Sequence, residues 1–239
     1  MAIMSVDKET IKGWLASGDT LRERDLSGCD LRALDLSGRD LEGADLRGAL
    51  LGRATLSRCR LRGAEVEGAS FELAVLQGAD LTGVRGAKTR FSHSFLEGAI
   101  LDDVQLPGAD FEGAGLPGAR LTGAHLVGAT LRMADLSAAD LTRADLERAD
   151  LGNAILSRVV LAGTRLVAAD LSAADLTGAS LVEVDASGAN FMSAIFKDAE
   201  LSRCDLTDAN LRGAGLTAGR LPTCMLAGAQ FKKPGTSSE

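Results

Sequence analysis

In "LRMADLSAADLTRADLERADL", residues 131–151, leucine returns at every fifth position, and each leucine after the first follows Ala-Asp. A helix repeats its apolar positions near 3.6 residues and a strand near 2, so this pattern is neither. Positions ending in 1 or 6 from Leu21 to Phe231 number 43; 34 are Leu and six are Phe. The exceptions are Val66, Gly86 and Ala186. The series two positions earlier has 42 members, of which 27 are Ala, and all four cysteines (Cys29, Cys59, Cys204 and Cys224) fall in it. One large and one small apolar side chain in every five therefore face a common interior, and the other three positions face water.

Glycine stands two positions after the marker in 19 of 43 cases, where a chain corner needs positive φ or close backbone approach. Four five-residue sides with a turn at each corner make a coil of 20 residues. Coils stacked about 4.8 Å apart by strand-like hydrogen bonds give nearly 11 coils and a rod about 50 Å long. Fixed-period repeats of this kind build solenoids with one continuous core. With no inserted residues, positions 20 apart stack. Phe71, Phe91 and Phe111 then form a ladder, with Phe191 and Phe231 farther along the same side. Cys204 and Cys224 also stack, as two small buried thiols or as a disulfide.

Three domains are expected: residues 1–18 as an N-terminal capping helix, 19–231 as the repeat and 232–239 as a flexible tail. In "SVDKETIKGWLASG", residues 5–18, Ser5 or Asp7 can cap the start and Gly18 the end. Ile11, Trp14 and Leu15 form one apolar stripe, and Trp14 is the expected plug of the first coil. The far end ends in the short polar "KKPGTSSE", so Leu221, Leu226 and Phe231 are expected at an open end that pairs with a second copy, giving a homodimer. The segment "GVRGAKTRFSHSF", residues 83–95, breaks the pattern: Gly86 replaces an inward leucine, and Val84, Thr89 and Ser94 replace alanines. It is expected as a bulged corner or a small loop.

Composition narrows the function classes. The net charge of −7 argues against a general binder of nucleic acid or anionic membrane. No apolar run reaches 18 residues, and "MAIMSVDKETIK" lacks a basic region followed by a long apolar stretch, so neither a membrane span nor a secretory leader is expected. Four cysteines without a CxxC pair fit a reducing cytoplasm. Arginine outnumbers lysine 20 to 6, the bias of a GC-rich bacterial genome.

Candidate chemistry is sparse. His93 and His125 lie on different coils, and no HExxH, CxxC, GxSxG or GxGxxG motif occurs in a fitting context. "GVRGAKT" fails the spacing of a phosphate-binding loop. Aspartates recur as part of the repeat, where they bond backbone amides. Stacked pairs such as Asp150 and Asp170 could attract a cation adventitiously. No enzyme, metal or cofactor is expected.

Two surface features exceed the repeat. The first is charge banding. Arg47, Arg53, Arg58, Arg60 and Arg62 form a basic collar, and Glu97, Asp102, Asp103, Asp110 and Glu112 an acidic band. A second acidic band holds Asp170, Asp175, Glu183 and Asp185. The second feature is an apolar group at normally outward positions: Leu73, Val75 and Phe95, with His93 at the same corner. It reads either as a contact site or as repacking around Gly86.

The motif A-(D/N)-L-x-x, as in "ADLSAADLTRADLERADL", resembles the pentapeptide-repeat family over residues 19–231. The resemblance implies an all-β fold, a right-handed quadrilateral parallel β-helix. It also implies two functional expectations. One is a non-enzymatic scaffold holding a protein partner through Leu73, Val75, His93 and Phe95 or through the open end. The other is a DNA mimic that binds a type II topoisomerase, DNA gyrase or topoisomerase IV, and inhibits it or protects it from quinolone-like poisons; Asp102, Asp103, Asp110 and Glu112 would make that contact. Residues 19–231 carry 30 acidic and 22 basic side chains. Duplex DNA of about 50 Å carries about 30 charges, so the mimicry is modest in charge. The resemblance carries no direct nucleic-acid or membrane contact. An unbroken negative surface would favour mimicry, and alternating patches a scaffold.

Overall fold

The computed structural model describes residues 6–231. Its backbone repeats one unit. The amides of most small residues close a turn onto the carbonyl of the marker, the large apolar residue three positions before, as Ala44 does on Leu41 at 3.0 Å. The third residue of that turn takes positive φ, +65° at Gly43 and +58° at Leu73. This conformation explains the glycines at the corner, where a side chain is strained. Where an aspartate precedes the marker it stabilises the next turn: Asp35 accepts from the Ser37 amide at 3.0 Å, and Asp170 from that of Ser172 at 2.9 Å. These are Asx turns, which satisfy the amide left over at the corner.

From Asp25↔Asp45 to Asn210↔Gln230, the residues before the markers bridge in parallel to the residue 20 later, Ile195 and Glu200 excepted. Only one stretch is long enough to count as strands, β1 (Ser180–Val182) beside β2 (Glu200–Ser202), in the same spacing. The chain is thus a parallel β-helix. Marker and small residues fill its interior as one core running from Leu21 to Leu221. The rings of Phe71, Phe91 and Phe111 stack at 4.8 Å with planes 9° and 5° from parallel, a direct readout of the rise per coil. Phe191 instead meets Phe196 at 5.4 Å and 58°.

Residues 83–95 contain no loop. Glu65, Arg85 and Gln105 stay in one bridge series, and so do Ser70, Arg90 and Asp110. At Gly86 the backbone moves into the space a leucine would fill: a Cβ there would lie 2.6 Å from the Val66 carbonyl carbon. The buried Thr89 hydroxyl donates to the carbonyls of Val66 (2.9 Å) and Gly86 (3.0 Å), which satisfies the corner.

The ends correct two expectations. Helix α1 (Lys8–Ser17) is capped by the Asp7 carboxylate on the Thr10 amide and by Gly18 at φ +80°; Ser5 lies outside the described residues. Ile11, not Trp14, is the fully buried plug. Trp14 stays half-buried, with the Arg24 guanidinium 3.9 Å above its ring, and the Arg39 guanidinium donates to the neighbouring Leu15 carbonyl at 2.8 Å. At the other end Leu221 is buried to 2% exposure, so it does not belong to an open face; Leu226 and Phe231 are half-buried. The expected tail, residues 232–239, lies outside the described residues. The wall itself is interrupted between residues 215 and 220. Ile195 and Glu200 have no bridge partner in the next coil, where Ala218–Arg220 forms a short 3-10 turn.

Candidate partner-binding surface

Val75, Phe95, Gly115 and Asp135 follow one another in a single bridge series, one coil apart. Leucine, alanine and aspartate alternate around them as elsewhere, so the backbone geometry is ordinary. The Leu96 amide reaches the Gly115 carbonyl at 2.6 Å, and the Gly115 amide reaches the Ser94 carbonyl at 2.9 Å. What differs is the side chains. Gly115 takes a place where aspartate is the commonest residue, and its missing side chain leaves a notch of about 330 Å³. The notch is lined by Val75, Phe95, Gly115 and Pro117, with Gln77, Glu97 and Asp135 at its edge. Phe95 is 56% exposed, while the other described phenylalanines are buried or half-buried. A large ring left in water beside Val75 and Pro117 is the kind of apolar patch that marks a contact surface.

The remaining sequence candidates distribute as follows. Leu73 is exposed at the neighbouring corner and does not line the notch. His93, with φ +55°, leans over Gly113: a Cβ on Gly113 would lie 2.6 Å from its Nδ1. It therefore points along the rod. The two halves of the acidic band are not one patch. Asp102 and Asp103 share one turn, whereas Asp110 sits in a bridge and holds the Glu112 amide at 2.9 Å at the start of another turn. Asp102 is ion-paired with Arg120. Asp103 packs over Gly123. The basic collar is also corrected: Arg47 pairs with Asp45, Arg60 with Asp40 at 2.9 Å and Arg62 with Asp80 at 3.4 Å. Opposite signs therefore meet between several stacked coils, again in Asp145–Arg165 at 3.4 Å.

Asp150 and Asp170 are bridge partners, but their carboxylates are occupied by protein donors. Arg132 lies 3.4 Å from Asp150, and the Asn190 amide nitrogen donates to Asp170 at 3.0 Å. Among the described residues no group of three or more His, Cys, Asp or Glu is placed to hold a metal. The four cysteines are free thiols. Burial pushes the Cys59 thiol up to about 11, and burial together with the neighbouring Cys224 pushes Cys204 up to about 12. Both are core residues without nucleophilic character at neutral pH.

Sequence reasoning found Val75 and Phe95 but missed Gly115, Pro117, Glu97 as a notch residue, and Asp135. The signal was present: "AGL" at 114–116 replaces "ADL" one coil after Phe95.

Comparison with known proteins places this architecture. The family model described as pentapeptide repeats (8 copies) matches residues 25–63, 49–85, 87–116, 105–143, 119–158, 154–198 and 169–208. HetL, a pentapeptide repeat protein involved in heterocyst differentiation regulation from the cyanobacterium Nostoc sp. Strain PCC 7120, is 30% identical over 94% of each chain, with a TM-score of 0.56. A trypsin-treated form of QnrB1, a plasmid-mediated fluoroquinolone resistance protein, is 22% identical over 85% of this chain and 91% of its own, with a TM-score of 0.51. The comparison with curated proteins returned no match. Proteins with these repeats fold as right-handed β-helices and are generally non-enzymatic structural or binding proteins. With the repeat matched across most of its length and HetL similar from end to end, the chain is a member of the pentapeptide-repeat family.

Proposed function

We propose that this protein is a non-enzymatic, rod-shaped scaffold that holds a protein partner on the face carrying Phe95. The observation that carries the reading is the notch: an exposed aromatic ring, two apolar walls and a floor without a side chain, on a rod whose other outward positions are mostly polar. The bridge spacing of 20 residues, with a turn in every five, supports four sides per coil and nearly 11 coils, a rigid platform for such a contact. Ion pairs between coils support a mixed-sign surface rather than an even negative one, the pattern of a specific protein contact. Affinity capture from cells of the source organism, with wild type beside Gly115→Val, tests the reading. A partner retained by wild type and lost by the filled notch supports it, and a partner set unchanged by the variant contradicts it.

One stretch favours a second reading, the topoisomerase-directed DNA mimic. Residues 166–208 contain eight acidic and two basic side chains. That is a net of six negative charges over about two coils, or about 10 Å, and duplex DNA carries about six charges in that length. A gyrase supercoiling assay at two salt concentrations, with and without a quinolone, decides it. Salt-sensitive inhibition or protection would move the functional surface from Phe95 to Asp170, Asp175, Asp185 and Asp205. The likeness to QnrB1 supports the fold alone.

We further infer a homodimer through the C-terminal coil, supported by half-buried Leu226 and Phe231 and the interrupted wall at residues 215–220. Phe231→Asp is expected to give monomers in sedimentation, and an unchanged species would remove this end from the interface. The free thiols support a reducing, cytoplasmic compartment. Among the described residues no helix is long and apolar enough to cross a membrane.

A further inference from the structure

The chemistry of the notch narrows what it can hold. Its walls are the Phe95 ring, Val75 and Pro117, and its floor is the Gly115 backbone. Two carboxylates stand at its edge, Glu97 and Asp135. Both are half spent. One oxygen of Glu97 accepts from the Gln77 side chain at 2.9 Å. One oxygen of Asp135 accepts from the Ser137 amide at 2.9 Å and from the Ser137 hydroxyl. Among the described residues the second oxygen of each carboxylate has no protein donor, and neither group has a basic partner, unlike Asp40, Asp80 and Asp102 elsewhere on the rod.

An exposed aromatic face and two carboxylate oxygens awaiting donors are satisfied together by one kind of group, an organic cation. The apolar walls add a second requirement, an aliphatic stem that can lie on Val75 and Pro117 while the charged head reaches the edge. Arginine meets both better than lysine. Its planar guanidinium stacks on a ring, is weakly hydrated, and presents several donors in one plane to carboxylates on two sides. An anionic ligand such as nucleic acid or a lipid headgroup would meet two negative charges here and be repelled.

We propose that the notch receives an arginine side chain of the protein partner, its guanidinium stacked on Phe95 and donating to the free oxygens of Glu97 and Asp135. This rests on the reading of the notch as the partner site and deepens it by naming what the partner presents. Val75 and Pro117 hold the stem, and Gly115 is required because any side chain there occupies the same space. Its conformation does not require glycine: a Cβ would meet only Pro117 Cδ at 3.9 Å and the Ser94 carbonyl at 4.0 Å. Gly115→Val therefore blocks the notch in a folded protein.

The test uses the full chain with 13C-labelled phenylalanine rings. Acetylated, amidated pentapeptides Gly-Ser-X-Ser-Gly, with X being arginine, norleucine or glutamate, are titrated while the Phe95 ring signals are followed by NMR. The proposal expects saturable shifts at Phe95 for the arginine peptide and none for the glutamate peptide. Glu97→Gln and Asp135→Asn should each weaken arginine binding by about fivefold or more, since each removes a charge-assisted hydrogen bond. Norleucine binding as well as arginine, with both lost in Gly115→Val, would overturn the arginine proposal and leave the notch as the site. An arginine peptide that binds Gly115→Val as well as wild type would overturn both. No movement of Phe95 with the arginine peptide would overturn the arginine proposal, and the capture experiment would then judge the site independently.

Discussion

Phe95 and Gly115 are partners in one backbone bridge, and the missing side chain of the second leaves the ring of the first uncovered. In the ladder that bridge belongs to, a single absent side chain makes a cavity without disturbing a backbone hydrogen bond.

The first prediction follows from that independence. Gly115→Val should leave the unfolding midpoint within a few degrees of wild type, because surface substitutions that break no hydrogen bond fall within about 0.5 kcal/mol. Thermal unfolding followed by circular dichroism checks it. A large loss of stability would mean that the glycine serves the fold rather than the notch.

Gly86 gives the opposite expectation, although it too replaces a repeat residue. Here the backbone has moved inward, and a Cβ would come within 3.0 Å of three backbone atoms of Val66 and Glu67. Gly86→Ala should destabilise the rod by about 2–4 kcal/mol, as overpacking against backbone does. Denaturant unfolding reads this directly. A neutral or stabilising result would show that the coil can return to the regular path.

The N-terminal coils should lose stability in acid. The Thr10 amide holds the Asp7 carboxyl below its ordinary range; Ser27 does so for Asp25, Ser37 for Asp35, the Arg60 guanidinium for Asp40 and the Arg47 guanidinium for Asp45. A carboxyl lowered in the folded state adds stability that is present above its unfolded value, about 4, and is lost as pH falls through its folded value. Trp14, the one tryptophan, sits on this end against Arg24. Its fluorescence should therefore report a lower melting temperature at pH 3 than at pH 7. A transition that does not move with pH would contradict this.

The buried thiols set an alkaline limit. Cys59 stays protonated to about 11 in the fold, whereas an unfolded thiol ionises near 8.5. For a group raised in the folded state, full stability holds below the unfolded value and is lost as pH rises through the folded one. The unfolding midpoint should fall between about pH 9 and 11, and Cys59→Ala should reduce that fall. Alkylation of the native protein at pH 8 should leave Cys59 and Cys204 unmodified, and rapid labelling of either would show that the coils open.

The fold was legible because its period is covalent arithmetic. Once the series from Leu21 sets the phase, Phe71 must lie over Phe91, and the rings stack at 4.8 Å. Three things were less legible. Trp14 suits the plug by size, but Ile11 fills the end, while the Trp14 ring lies under the Arg24 guanidinium at the rim. The basic collar reads as unbroken along the chain, whereas two of its five arginines are paired across coils with acids 18 or 20 residues away, Arg62 with Asp80 and Arg60 with Asp40, and Arg47 pairs with Asp45. The interruption at residues 215–220 coincides with Gly219 at a position that usually carries Ala, a weak departure alone. The notch was half legible. An outward phenylalanine stands out in sequence, but the glycine that uncovers it lies a full coil later and matters only once the coils are stacked.

The central claim is that a protein partner sits on the Phe95 face. Site-specific photo-crosslinking tests it most directly. Benzoylphenylalanine replaces Phe95 in one variant and Gln105 in another; Gln105 is exposed and half a coil away. Both proteins are irradiated in cells of the source organism. The account predicts one discrete crosslinked species from position 95, lost when Gly115→Val is added, and none of that mass from position 105. Crosslinks of equal yield from both positions, or a species at 95 that survives the filled notch, would contradict it.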